Sequence, residues 1–175
     1  MSRSEIRIAG AGGQGVVTAG RILAEAAMLS GSNATQAQVY GPQSRGGASR
    51  SDVVIDTREI GFPLADDIDI LVALSSEAWS RYHPELRESG RSIVDSRCAP
   101  AEANGTVRRY PVVDTARALS GSQLVTGVVA LGVLQASTGL VDGQALHRAL
   151  EIRVPARHRD MNLEALRAGL RLVEG

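Results

Sequence analysis

Three groups of residues in this chain have types and spacings suited to holding a ligand. The first is Gly10-Ala11-Gly12-Gly13-Gln14-Gly15, which follows the apolar run Ile6–Ala9 and precedes a helical pattern from Val16 to Ser30. Glycines at such a junction let the chain turn sharply and let a ligand approach bare amides. The partial positive charge of the following helix N-terminus suits a phosphate. A nicotinamide dinucleotide site would add an acid at the end of the second strand, about 20 residues on, to hold the ribose hydroxyls. Here that strand ends in Gln36-Ala37-Gln38-Val39-Tyr40, with no acid. The motif therefore reads either as a phosphate or pyrophosphate cradle lacking the NAD-type acid, or as a turn used for close subunit packing.

The second group is Tyr40-Gly41-Pro42-Gln43-Ser44-Arg45-Gly46-Gly47, a loop in which Arg45 stands beside glycines. A guanidinium is the natural bidentate partner of a phosphate or carboxylate. The loop follows the second strand, which puts it on the same carboxyl edge of the sheet as the glycine motif, where α/β folds gather ligands. A structural or inter-subunit salt bridge at Arg45 is the alternative. The third group, Arg153, Arg157, His158 and Arg159, is either a phosphate contact or a solvated helix entry.

No catalytic centre emerges. No Ser or Cys stands in a recognisable nucleophile setting, and His83, His147 and His158 are not paired at metal spacing on one helix face. Asp66, Asp67 and Asp69 lack the downstream ligands of a metal loop and read as a solvated turn. The single cysteine, Cys98, excludes an internal disulfide and any cysteine-rich zinc or iron–sulfur site. Its neighbour Arg97 would lower its pKa, which by itself is a weak sign of a reactive thiol.

The elements that must position these groups follow from periodicity. Strands are expected at Ile6–Ala9, Asn33–Val39, Ser49–Ile55, Ile70–Leu74, Ser92–Asp95 and Arg108–Val113. Helices are expected at Val16–Ser30, closed by Gly31, and at Ser76–Tyr82, capped by Ser75 or Ser76. Others should lie near Thr115–Leu119, Gln123–Ser137, Asp142–Leu150 and Met161–Val173. The first three elements make a βαβ opening, and the alternation as a whole predicts an α/β sandwich on a parallel or mostly parallel sheet. In the first helix, Thr18, Arg21 and Glu25 form one narrow polar stripe. It and the Gln123–Ser137 helix show so little polar surface that broad apolar patches, marking partner interfaces, are expected.

Composition sets the bounds. The 175 residues suit one domain, with 43% apolar and 22% charged residues. All 19 basic residues are arginine, and 19 acids balance them to zero net charge, against a phosphate-backbone binder. Aromatics at 3% argue against base stacking on single strands. The longest apolar run, Leu124–Leu134, falls short of the roughly 20 residues a bilayer needs. The N-terminus enters a strand with no signal peptide, so the expected location is the cytoplasm.

The stretch Ile8–Leu23, with its Gly10-Ala11-Gly12-Gly13-Gln14-Gly15-Val16-Val17-Thr18-Ala19-Gly20-Arg21 core, resembles the opening of the gamma subunit of 2-oxoacid:ferredoxin oxidoreductases. The Tyr40–Ser49 loop, Ile60, Pro63, the Ile70–Leu74 strand, Glu77-Ala78 and the late Asn162…Ala165-Leu166…Gly169 are similar too, so the resemblance spans nearly the whole chain. The second loop is more like the 2-oxoglutarate and branched-chain types than the pyruvate type. Departures fall at Gln43, Ser44, Thr126 and Gly127.

The resemblance implies a single Rossmann- or flavodoxin-like domain over residues 1–175, a mostly parallel sheet with helices on both faces. It implies a gamma subunit with no complete catalytic site of its own. The whole enzyme would oxidatively decarboxylate a 2-oxo acid, 2-oxoglutarate foremost, with coenzyme A, giving acyl-CoA, carbon dioxide and reduced ferredoxin. Thiamine diphosphate and Mg would sit on alpha and beta subunits, and iron–sulfur clusters on beta or on a ferredoxin-like delta subunit. The gamma subunit would help bind coenzyme A, its pyrophosphate against the amides of Gly12, Gly13, Gln14, Gly15 and Val16. Arg45 would reach a phosphate oxygen, and Asn162, carried over from the family's late asparagine, would contact the nucleotide end. Two other readings stay open, a stand-alone Rossmann-type nucleotide-binding regulatory module and an NAD(P)-dependent dehydrogenase.

Overall fold

Strand β1 (Ser4–Gly10) is apolar on one face and carries Glu5 and Arg7 on the other, and it is covered on both. It is flanked by β3 (Ser49–Asp56) and β4 (Ile68–Ala73), inside a six-stranded sheet of order β2-β3-β1-β4-β5-β6. The computed structural model describes residues 3–39, 48–98 and 106–174. Strands β2 (Asn33–Val39), β5 (Leu86–Asp95) and β6 (Thr106–Tyr110) complete the sheet. Strand β3 runs against both β1 and β2, while β1, β4, β5 and β6 are mutually parallel. The mostly parallel sheet expected from the alternation is therefore present.

Its opening differs from a plain βαβ unit. Helix α1 (Val16–Leu29) does lead from β1 to β2, but β3 is inserted between those two strands. A short connection back from β2 allows the antiparallel pairing, and Gly10 ends up opposite Ser49.

Helices lie on both faces, unequally. Helices α1, α3 (Val112–Ser120), α4 (Thr126–Thr138), α5 (Gly143–Arg153) and α6 (Arg159–Glu174) share one apolar core with Ile6, Ile8, Val53, Val72 and Ile93. The other face carries the short α2 (Ser76–Tyr82), whose Trp79 and Tyr82 pack with Leu71, Leu86 and Cys98. Ser75 is its cap, the hydroxyl accepting from the Ala78 N–H at 3.1 Å.

Three boundaries moved for physical reasons. Strand β5 begins at Leu86, six residues early, because its first half places Glu88 and Arg91 in solvent around buried Leu86 and Gly90. Strand β6 stops at Tyr110, since Pro111 has no N–H to give a ladder. Val112 and Val113 then start α3 instead of extending the strand, and the buried Asp95 carboxylate accepts the Val113 N–H at 2.8 Å.

The expected apolar patches on α1 and α4 are not found. Helix α4 is buried continuously from Thr126 to Leu134 because the sheet, α3 and α6 surround it. Helix α6 approaches so closely that a Cβ on Gly169 would lie 2.0 Å from the Val129 carbonyl oxygen. Helix α1 is covered by β2, β3 and α5 along most of its length, leaving Thr18 and Arg21 as a polar solvent stripe and Met28 and Leu29 exposed only at its last turn. The lack of polar surface on the two helices reflects burial in their own fold.

The α2 face holds charge. Arg7, only 1% exposed, donates from Nε to Asp52 Oδ1 at 2.7 Å and from Nη2 to Asp52 Oδ2 at 2.9 Å and Ala65 O at 2.8 Å. Its Nη1 meets Glu85, and its guanidinium lies 5.0 Å from the Tyr82 ring centroid. Burial works to lower the Arg7 pKa, but Asp52 and Glu85 outweigh it and hold the pKa above the ordinary value. Of the acidic stretch, Asp66 and Asp67 are exposed in the solvated turn the sequence predicts, whereas Asp69 stands in β4, where it accepts the Glu5 N–H at 2.7 Å and pairs with Arg87.

Candidate functional site at the glycine loop

The glycine motif leaves β1 at its carboxyl end and enters α1 with one tight turn, the Gln14 N–H donating to Ala11 O at 3.3 Å. Gly13 and Gly15 sit at φ of 82° and 71°, in the left-handed region that glycine tolerates without a Cβ clash. Gly15 is the N-cap of α1 and brings no side chain to its amides, and the first turn contains no acid. The N–H groups of Val16, Val17 and Thr18 therefore keep their capacity for an external acceptor, reinforced by the helix dipole.

The two halves of the motif do different jobs. Gly12 and Gly13 are exposed, and a Cβ on either would touch nothing within 4 Å. Gly15 is a packing residue as well, since a Cβ there would stand 2.6 Å from Leu124 O. Gly127 is its counterpart, with a virtual Cβ 2.5 Å from Gly15 O, and its N–H donates to Gln14 O at 2.8 Å.

Gln14 points inward. Its Oε1 accepts from the Ala11 N–H at 2.7 Å, and its Nε2 donates to Leu74 O and Gln123 Oε1, both at 3.1 Å. The side chain thus ties the loop to the end of β4 and to the segment before α4. Sequence reasoning gave Gln14 only an amide role and missed this latch. No local pattern signals it, because its partners lie 60 and 109 residues away.

Asn162 comes to the same side of the molecule, in the first turn of α6. It lines a cavity of about 470 Å³ together with Thr18 of α1, Leu124 and Val125 ahead of α4, and Arg153 and His158 at the junction of α5 and α6. Thr18 also borders a smaller depression, about 170 Å³, against Gly13, Gly15 and Ser49. Thr18 is therefore common to the lining of the cavity and to that of the depression at the glycine loop. Arg45 and the loop Tyr40–Gly47 lie outside the described residues.

Within the basic cluster, Arg153 is tied to Glu25 of α1, its Nε donating at 2.9 Å, and Arg157 Nε donates to His158 Nε2 at 3.0 Å. Arg159 Nε reaches Val154 O at 3.3 Å. Much of this charge thus builds the α5–α6 junction. Cys98 departs from its expectation: burial, the largest effect, raises its pKa, and Arg97 gives its Nε–H to Asp95 at 2.9 Å. Among the described residues, no three His, Cys, Asp or Glu side chains group as metal ligands, and no helix is long and apolar enough to cross a membrane.

Residues 5–172 match the family model of pyruvate ferredoxin/flavodoxin oxidoreductase, and the chain belongs to that family. Within it the chain is of the gamma type, a subunit of a multi-subunit 2-oxoacid oxidoreductase. It is 42% identical to the 2-oxoglutarate synthase subunit KorC of Methanothermobacter thermautotrophicus, over 98% of this chain and 95% of that protein. The crystal structure of a keto/oxoacid ferredoxin oxidoreductase gamma subunit from Geobacter sulfurreducens superposes with a TM-score of 0.89 at 37% identity, covering 99% of this chain and 98% of that one. The fold also recurs, at a TM-score of 0.86 and 22% identity, in 31% of a chain of the 2-oxoglutarate:ferredoxin oxidoreductase from Magnetococcus marinus, solved with 2-oxoglutarate, coenzyme A and succinyl-CoA bound. That match covers 99% of this chain.

Proposed function

We propose that this subunit binds coenzyme A at the carboxyl edge of its sheet, for an enzyme that oxidatively decarboxylates 2-oxoglutarate to succinyl-CoA. One observation carries the reading: an exposed glycine turn, free of side chains, in front of an uncapped helix N-terminus with no acid in its first turn. That arrangement favours an anion by about 0.3–1 kcal/mol when exposed. The pyrophosphate would lie against the amides of Gly12, Gly13, Gln14, Gly15 and Val16. Arg45 would pair with a phosphate oxygen, and Asn162 would meet the nucleotide end. The thiol arm would leave this subunit toward its neighbours.

The reaction itself falls to partner subunits. Thiamine diphosphate with Mg would sit on alpha and beta, and iron–sulfur clusters on beta or on a ferredoxin-like delta subunit, with ferredoxin as acceptor in the cytoplasm. This chain's one cysteine suits that division, because a cluster needs several thiolates. The KorC likeness supports 2-oxoglutarate as the substrate.

Gly15 is the wrong place to test the loop, since any side chain there strains the backbone and collides with Leu124 O. Gly12 is open. In the assembled enzyme, Gly12→Asp should raise KM for coenzyme A at least about tenfold, a loss of roughly 1.4 kcal/mol. The same variant should still release carbon dioxide from 2-oxoglutarate in a first turnover without coenzyme A. An unchanged KM in the intact complex would leave the loop as a packing turn.

A further inference from the structure

A different cavity, of about 320 Å³, opens toward the other end of the parallel strands from the glycine loop. Ile70, Arg91 and Thr106 line it, and they stand in register with Ile6 across β1, β4, β5 and β6. Ile6 lies four residues before Gly10 ends β1. Strand rise alone therefore sets this cavity about 13 Å from the start of the loop. Its size is at the lower end of small-molecule sites.

Two arginines give it its charge. Arg91 is opposite Thr106 and Ile93 is opposite Arg108, so strand alternation puts both arginines on one face of the sheet. Their Cα atoms are then about 8 Å apart, and both side chains reach a common point. Both are exposed, and among the described residues neither guanidinium has an ion pair or a hydrogen bond. No described acidic side chain lines the cavity, and buried Ile70 and Ile93 form its floor. Two guanidiniums this close repel unless something negative lies between them.

Ser137, in the last turn of α4, is the independent sign of a ligand. It borders the same cavity, and its Oγ is buried with no hydrogen-bond partner among the described residues. A buried hydroxyl left unpaired costs stability, and a ligand acceptor in the cavity would satisfy it. Two forks of N–H donors plus a hydroxyl match the terminal oxygens of a phosphate, which accepts bidentate pairs from arginine. A carboxylate has only two oxygens to divide among the same donors. The carbonyl end of α4 adds partial negative charge on this side, which two full positive charges outweigh.

We propose that the cavity lined by Arg91, Arg108 and Ser137 binds a phosphate dianion, either free or carried as a monoester on a small organic molecule. The two arginines hold its oxygens, and the Ser137 hydroxyl donates to it. The site shares no residue with the glycine loop and does not rest on the coenzyme A reading.

The test is calorimetric titration of the full chain in chloride buffer, with inorganic phosphate and phenyl phosphate as probes. Gly12→Asp serves as the background, which keeps phosphate off the glycine loop. Phosphate should still bind in that background, and Arg91→Gln or Arg108→Gln should each weaken it at least about tenfold. Arg109→Gln removes the same charge one residue along β6, outside the lining, and should change binding by less than about twofold. Ser137→Ala should weaken phosphate about threefold or more. Without phosphate it should melt no lower than its parent, because it deletes an unpaired buried group. Tighter binding of phenyl phosphate identifies a monoester as the ligand, and tighter binding of inorganic phosphate identifies the free ion. No binding in the Gly12→Asp background, binding that survives both arginine variants, or an equal loss with Arg109→Gln would overturn the site. The coenzyme A reading fails on a separate result, an unchanged KM for coenzyme A in Gly12→Asp.

Discussion

The two faces of the sheet reach stability by different means. On one, five helices bury an almost wholly apolar core, and α4 and α6 pack so closely at glycines that a Cβ on Gly169 would collide with the Val129 carbonyl oxygen. On the other, one seven-residue helix covers a smaller core beside a buried ion pair, Arg7 with Asp52, braced by Glu85, Ala65 O and the Tyr82 ring. The crowded face resists added volume, and the thin face resists a charge left without its partner. The glycine loop lies where they meet, at the end of the strand that carries Ile8 inward to one and Arg7 inward to the other. Its position therefore depends on both.

Removing one partner of the buried pair should have the largest effect. Asp52→Ala takes the two-bonded partner from the buried Arg7 guanidinium and leaves only the half-exposed Glu85 to pair with it, at a cost of about 3–5 kcal/mol. The double change Arg7→Met with Asp52→Leu should recover most of that, because apolar side chains of similar volume avoid the desolvation cost. Denaturant melts of the three variants check this. A single-mutant loss below about 1 kcal/mol would break the contrast between the faces.

On the crowded face, Gly169→Ala should cost about 1–3 kcal/mol as α4 and α6 are forced apart. Alanine's better helix propensity, worth roughly 0.5–1 kcal/mol, offsets only part of it. A thermal melt showing equal or greater stability would mean that the two helices separate freely.

A smaller effect, with a pH signature, belongs to Glu5 on the charged face. Burial raises its pKa, but N–H groups of Asp67 and Asp66 and the Arg3 guanidinium outweigh that and hold it below the usual range. A depressed folded pKa means the stabilisation is present above the unfolded value, near 4.3, and is lost as pH falls through the folded value. Glu5→Gln should therefore cost about 1–2 kcal/mol at pH 7, and the gap to wild type should close below about pH 4. A gap constant from pH 7 to pH 3 would remove the carboxylate from the account.

What was legible in the sequence follows the same division. The crowded face is written in periodicity, so α1 from Val16, the Gly31 stop and β2 from Asn33 to Val39 stand where the pattern puts them. The exchange of β3 into the centre was not legible, because strand order depends on pairings between distant segments. The charged face was equally hidden, since Arg7 and Asp52 are 45 residues apart and each looks like ordinary surface charge. At the candidate site, the glycine loop stood out by its residues, and Asn162 only through the family resemblance. The lining that Thr18, Leu124, Met161 and Asn162 share needed the packing of α1, α4 and α6.

The smallest effect separates glycine as a packing device from glycine as a ligand device. Gly12→Ala adds a methyl that meets nothing within 4 Å, and the residue does not sit in the left-handed region, so the folded state gains no clash. The unfolded chain loses some freedom, which works slightly in favour of the variant. Its stability should match wild type within about 0.5 kcal/mol. Gly15→Ala, three residues on, must hold an L-residue at φ 71° and press its methyl against Leu124 O at 2.6 Å. That should cost at least about 1–2 kcal/mol from the backbone alone. Melts of the two variants side by side make the comparison, and equal losses would mean that the loop is a packing turn along its whole length. A neutral Gly12→Ala leaves position 12 with no structural demand for glycine, which is what a surface kept clear for an approaching anion requires.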